Sequence, residues 1–137
     1  MIINGKCCCN GAFFAKHLTN TELNGDVRLA DIRGMAANTI GQAFYEMKAV
    51  ASGTRCKNFF YHAHLTPKEH ERLTPEQWEW AVDELEKRLG LEGQARFVVQ
   101  HEKKGRIHRH VVWSRIDVDR MRAIPNNDNY RDLLAVE

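Results

Sequence analysis

The chain has 137 residues and a mass of 15.8 kDa, 43% hydrophobic and 28% charged, which suits one compact core and leaves too little for two. A net charge of +2 does not by itself mark a nucleic-acid binder. Its distribution says more: eight acidic residues over 69–92 face only Arg72, Lys87 and Arg88, whereas seven basic residues over 103–122 face only Asp117 and Asp119.

No apolar run reaches the roughly 18 residues that cross a bilayer, and the N-terminus lacks the layout of a signal peptide, so a cytoplasmic protein with no membrane partner is expected. Cys7, Cys8, Cys9 and Cys56 form neither a zinc pattern nor a secreted disulfide framework, and free thiols are expected. Without repeats, low-complexity tracts or a linker, residues 1–137 read as a single domain.

In chain order, a strand is expected over 1–3, a short helix over 12–18, a strand over 27–32 and a helix over 35–51 that carries Ile40, Ala43, Phe44 and Met47. A third strand follows over 58–65. The clearest helix covers 75–89, with Thr74 as N-cap, Gln77 three residues later, Pro75 in the first turn and Gly90 as terminator. Trp78, Ala81, Val82, Leu85 and Leu89 form its apolar stripe, and Glu76, Glu79, Asp83 and Glu86 should point to water. Two last strands, 95–101 and 107–115, are joined by a turn too short for a crossover helix and must form an antiparallel hairpin. The class expected is α+β: a mainly antiparallel sheet of about five strands with helices packed on one face.

With Lys104 and Gly105 as the two-residue loop of that hairpin, His101 opposes His108 and Val99 opposes His110. His108 and His110 project from the same side of their strand, so three imidazoles converge on a rigid hairpin, an arrangement able to hold a divalent metal with positions left for water or substrate. The same spacing is compatible with ordinary exposed cross-strand histidines. A second pair, His62 and His64, lies on the strand before, without a local partner. His70, in a charged run, should face solvent.

The stretch His101-Glu-Lys-Lys-Gly-Arg-Ile-His108-Arg-His110-Val-Val-Trp-Ser-Arg-Ile-Asp117 resembles the three-histidine motif of relaxases, the mobilisation nucleases of the HUH endonuclease superfamily. Phe60-Tyr-His-Ala-His-Leu-Thr-Pro67, Leu73-Thr-Pro-Glu-Gln-Trp78 and Asn126-Asn-Asp-Asn-Tyr130 are similar to the corresponding segments of VirD-type mobilisation relaxases. Three features depart from the pattern. Arg109 stands where the superfamily usually has an apolar residue, and relaxase domains of this kind are longer, so the chain reads as an N-terminal fragment or a reduced form. At the first motif, Lys16-His17-Leu18-Thr19 puts His17 where a catalytic tyrosine is usual, as in a mobilisation subfamily that uses histidine as nucleophile.

The resemblance implies metal-dependent nicking and joining of single-stranded DNA at the transfer origin of a conjugative or mobilisable element, through a covalent 5′-phosphate intermediate. A non-catalytic relaxase-like DNA-binding module is the alternative. His17 is the implied nucleophile, with Tyr61 and Tyr130 in reserve. His101, His108 and His110 are the implied ligands of manganese or magnesium, and zinc, nickel or cobalt would also suit three imidazoles. Asp31 is expected to orient an imidazole or else to pair with Arg33. Lys103, Lys104, Arg106, Arg109, Arg115, Arg120 and Arg122 are expected to contact phosphates. Relaxosome and secretion-system proteins are expected partners; a small-molecule substrate is not.

Overall fold

The computed structural model describes residues 1–21 and 25–125. Their elements are β1 (Ile2–Cys8), α1 (Gly11–Leu18), β2 (Asp26–Arg33), α2 (Ile40–Ala51), β3 (Phe60–Thr66), α3 (Pro75–Leu89), β4 (Arg96–Lys103), β5 (Arg106–Ser114), β6 (Ile116–Asp117) and β7 (Arg122–Ala123). β1 to β5 form one sheet in the order β1-β3-β5-β4-β2, every neighbouring pair antiparallel, and β6 and β7 form a small ribbon. This is the α+β class. Among the described residues no helix is long and apolar enough to cross a membrane, and all four cysteines are free thiols.

The expectation of helices on one face needs correcting, because they cover both. Apolar residues of the inner strands run without alternation, as in Phe60-Tyr61, Phe97-Val98-Val99 and Val111-Val112-Trp113, a composition that requires cover on each side. Tyr61, Ala63, Leu65, Val98, Val111 and Trp113 pack against the Trp78, Ala81, Val82, Leu85 and Leu89 stripe of α3. Phe60, Phe97, Val99 and Val112 point the other way, onto Leu18 of α1 and Ile40, Ala43, Phe44 and Met47 of α2.

Local chemistry sets the ends of the elements. α3 has its Thr74–Gln77 capping box and a left-handed Gly90 as expected. α2 begins at Ile40 and not near 35, because the Thr39 side chain caps it by accepting from Gln42 N–H, while the Glu46 carboxylate accepts from the N–H groups of Ala36 and Ala37 and holds that approach non-helical. β1 extends to Cys8, with Gly5 crossing so close over the Tyr61 ring that a side chain there would collide with it. The β4–β5 turn has φ of 53° at Lys104 and 76° at Gly105, the two left-handed residues of a type I′ turn. The resulting register pairs His101 with His108 and Val99 with His110.

Candidate metal centre

Antiparallel pairing assembles five histidines on one face of the sheet. β3 lies beside β5 with His64 opposite His110 and His62 opposite Val112, and β4 lies on the other side of β5 with His101 opposite His108. Alternation then sends His62, His64, His101, His108 and His110 to the side covered by α1 and α2, near the open end of the sheet. Ligand nitrogens of His64, His108 and His110 lie within 4.8 Å of one another. His101 is fully buried and packs on His108 and His110 with ring centroids 5.0 and 4.8 Å away, but does not join that convergent group. His64 of the β3 pair is therefore in the convergent group, with His62 beside it; the pair's signal was the His-x-His spacing, and what was missing was the long-range pairing of β3 with β5.

Hydrogen bonds fix how each ring is turned. His101 Nε2–H donates to the Leu18 carbonyl at 2.8 Å, which leaves Nδ1 as an acceptor, buried and with no hydrogen-bond partner among the described residues. His62 Nε2 lies 2.7 Å from His110 Nδ1, and His64 Nε2 lies 2.7 Å from His108 Nδ1. Burial, followed by the influence of His64, His17 and Lys6, pushes His62 down to about 4. Burial again, then His108, His101 and His17, brings His64 to about 4. His101, His108 and His110 are also lowered, with burial the largest cause in each. All five rings are thus neutral near pH 7 and keep the lone pairs a metal needs.

The donor set fits a divalent ion. Three neutral nitrogens converge, and the buried lone pair at His101 Nδ1 lacks the proton donor that a purely structural histidine would have. His62 occupies the place beside a candidate ligand that Asp31 was expected to take. Asp31 is on the opposite face, 3.4 Å from Arg96, because a bulge between Leu29 and Asp31 inverts the side to which β2 residues point.

α1 brings His17 to this cluster. Phe14 packs on His62 and Phe60 with centroids 4.8 and 5.5 Å away, and Leu18, one turn on, is fully buried with its carbonyl bonded to His101. His17, between them, is exposed at the helix end, close enough to depress the affinity of His62, His64 and His101 for protons. Its ring lies parallel to that of exposed Phe13, centroids 6.0 Å apart. Tyr61, the reserve nucleophile, is excluded by position: it is fully buried under α3, on the other side of the sheet. Tyr130 lies outside the described residues. His70 is exposed.

The seven basic residues do not form one surface. Lys103 and Arg106 share the histidine face and, with Lys104, His64, Thr66, Ile107 and His108, line a groove of about 370 Å³. Lys6 on β1, opposite His62, joins this face and was not anticipated. Arg109 points the other way, over the Trp78 ring at 5.0 Å. Arg115 braces the structure, donating to the carbonyls of Asn58 at 2.6 Å and Ile124 at 2.9 Å. Arg120 and Arg122 lie on the β6–β7 ribbon, beyond the end of β5 remote from the histidines.

One comparison with known proteins bears on this constellation: the family described as "Relaxase: MobA/VirD2-like, nuclease domain" matches residues 17–136. No curated protein and no solved structure matches the chain.

Proposed function

The chain belongs to the MobA/VirD2-like relaxase nuclease family, and on that premise we propose that it nicks and rejoins one DNA strand at a transfer origin, with His17 as nucleophile. The observation that carries this reading is the hydrogen bond from His101 to the Leu18 carbonyl, which ties the helix end bearing His17 directly to the histidine cluster.

His101, His108 and His110, the family's three-histidine motif, would hold the divalent ion. When bound, it polarises the scissile phosphate and neutralises charge developing on its oxygens. His17 attacks phosphorus through a ring lone pair. The P–N bond forms as the P–O3′ bond breaks, the second ring nitrogen gives up its proton, and the departing 3′ oxygen takes one up. The strand is then joined to the protein through its 5′ phosphate, as a phosphoramidate that the waiting 3′ hydroxyl can reverse. Lys6, Lys103, Lys104 and Arg106 supply positive charge where the strand would approach, and Phe13 offers a base a stacking surface beside His17.

The test is an adduct assay with labelled single-stranded oligonucleotides from the transfer origin of the element that encodes the protein, in manganese or magnesium and then in zinc, cobalt or nickel. A covalent adduct labile to acid and stable to alkali is expected. His17→Ala should abolish it while leaving metal content and oligonucleotide affinity nearly unchanged, since a nucleophile acts in the transition state. Binding without an adduct under every metal would favour a non-catalytic DNA-binding module. Normal adduct formation by His17→Ala would shift the role to another residue, Tyr130 first.

A further inference from the structure

We propose that His64 is itself a metal ligand, giving the centre a fourth imidazole beside His101, His108 and His110, and that it therefore takes nitrogen-preferring ions such as zinc or cobalt ahead of magnesium. This rests on the reading above only in requiring that the centre hold a divalent ion.

The β3–β5 register places His64 directly opposite His110, their rings stacked with centroids 4.1 Å apart and planes 6° from parallel. His64 Nε2 and His108 Nδ1 face each other at 2.7 Å. Two ring nitrogens that close have either the N–H proton of one ring between them or a cation that takes its place. Nitrogens on one tetrahedral zinc ion, each about 2.0–2.1 Å from the metal, lie about 3.3–3.4 Å apart. The group formed by His64, His108 and His110 spans at most 4.8 Å, so its widest pair has to close by up to about 1.4 Å to hold one ion. His62 differs, because it lies outside that convergent group, and its Nε2, 2.7 Å from His110 Nδ1, is placed to steady a ligand ring from outside. The group contains no carboxylate among the described residues, and magnesium, which demands oxygen ligands, has little to bind.

The metal-free full chain can be titrated with cobalt(II) and its visible spectrum read, with zinc affinity measured alongside. The wild type should give the intense band of a nitrogen-rich, low-coordinate cobalt centre that a large excess of magnesium does not displace. His64→Ala and the length-conserving His64→Gln should both weaken that band and cut affinity by more than the roughly 10–100-fold that follows loss of an outer-shell partner, whereas His62→Ala should keep the band and stay within that range. X-ray absorption of the wild-type zinc protein should count four imidazoles, a readout that does not depend on either variant folding. Wild-type band and affinity in both His64 variants, three imidazoles in the zinc protein, or displacement by magnesium overturns the proposal. In the first case the metal-centre reading stands without His64, and in the second a three-imidazole centre stands whose members the His64 variants identify; failure of the wild type to take up any cobalt or zinc overturns both.

Discussion

Arg106 and Arg109 stand three positions apart on β5, and an odd separation sends two strand residues to opposite faces. Arg106 travels with His108 to the groove beside Lys103 and donates to the Pro67 carbonyl at 3.3 Å. Arg109 goes to the α3 face, where its guanidinium lies over Trp78 and donates twice to the Gln100 amide oxygen, at 3.0 and 2.8 Å. Two arginines that look equivalent in the chain should therefore fail differently. Arg106→Ala is expected to weaken single-stranded DNA binding several-fold and make its salt dependence shallower by about 0.7 in the log–log slope, the amount for one phosphate contact on a single strand. Arg109→Ala should leave that slope unchanged and lower the melting temperature. Fluorescence anisotropy at several salt concentrations, with thermal melts, separates the two; a shallower slope in Arg109→Ala would put the strand on the α3 face. The same parity explains what the chain disclosed of its site. His101, His108 and His110 could be placed because a two-residue turn sets their register locally. His64 could not, since nothing local says that β3 lies against β5, and Asp31 was misplaced by one bulged residue.

α3 shows which kinds of element reveal themselves. Its capping box, its Pro75 and its left-handed Gly90 are all local, and its bounds follow from them without reference to the fold. One position on it behaves otherwise. Glu86 reads as a solvent-facing residue at the edge of the apolar stripe, yet it is buried, because β2, β4 and β5 supply Arg33, Arg96 and the Trp113 indole to its carboxylate. Those partners lie 53, 10 and 27 residues away in the chain, which is why helical periodicity alone misjudges it. Arg96 is also held by Asp83, 2.9 Å away, so one corner of α3 is bolted to three strands. Removing one member of a buried charged network strands the others, at a cost of about 3 kcal/mol or more. Glu86→Ala is accordingly expected to lower the melting temperature by on the order of 10 °C, with Glu86→Gln recovering part of the loss. Because the network and the histidines are on opposite faces, metal content at a temperature where the variant is folded should be unchanged. A melt within 2 or 3 °C of wild type, well below the expected shift, would mean that water replaces the carboxylate without difficulty.

At the scale of the whole molecule, the sheet has one face devoted to packing and another where apolar packing gives way to five imidazoles near its end. Assembling them there has a consequence for stability as a function of pH. In the unfolded chain each histidine takes up a proton near pH 6.5, whereas in the folded protein His62 and His64 resist protonation down to about 4, and His101, His108 and His110 are lowered as well. Between those limits the unfolded state binds more protons than the folded one, so the free energy of unfolding rises with pH and falls on acidification. Above pH 6.5 both states are neutral and the effect vanishes; below about 4 the two β3 histidines protonate in both states and their contribution stops growing. The metal-free protein, kept in chelator, should therefore melt at a nearly constant temperature from pH 8 to 7 and at progressively lower temperatures from about 6.5 to 4. Replacing His62 and His64 together by phenylalanine should flatten that decline, because neither state then exchanges a proton at these positions. Adding a bound metal should raise the melt at neutral pH and lose its effect over the same acidic range, as protons compete for the ligand lone pairs. Differential scanning fluorimetry across this range reads all three curves. A metal-free melt that is flat from pH 7 to 4, with a phenylalanine variant indistinguishable from wild type, would show that the imidazoles accept protons in the folded state as easily as in the unfolded one.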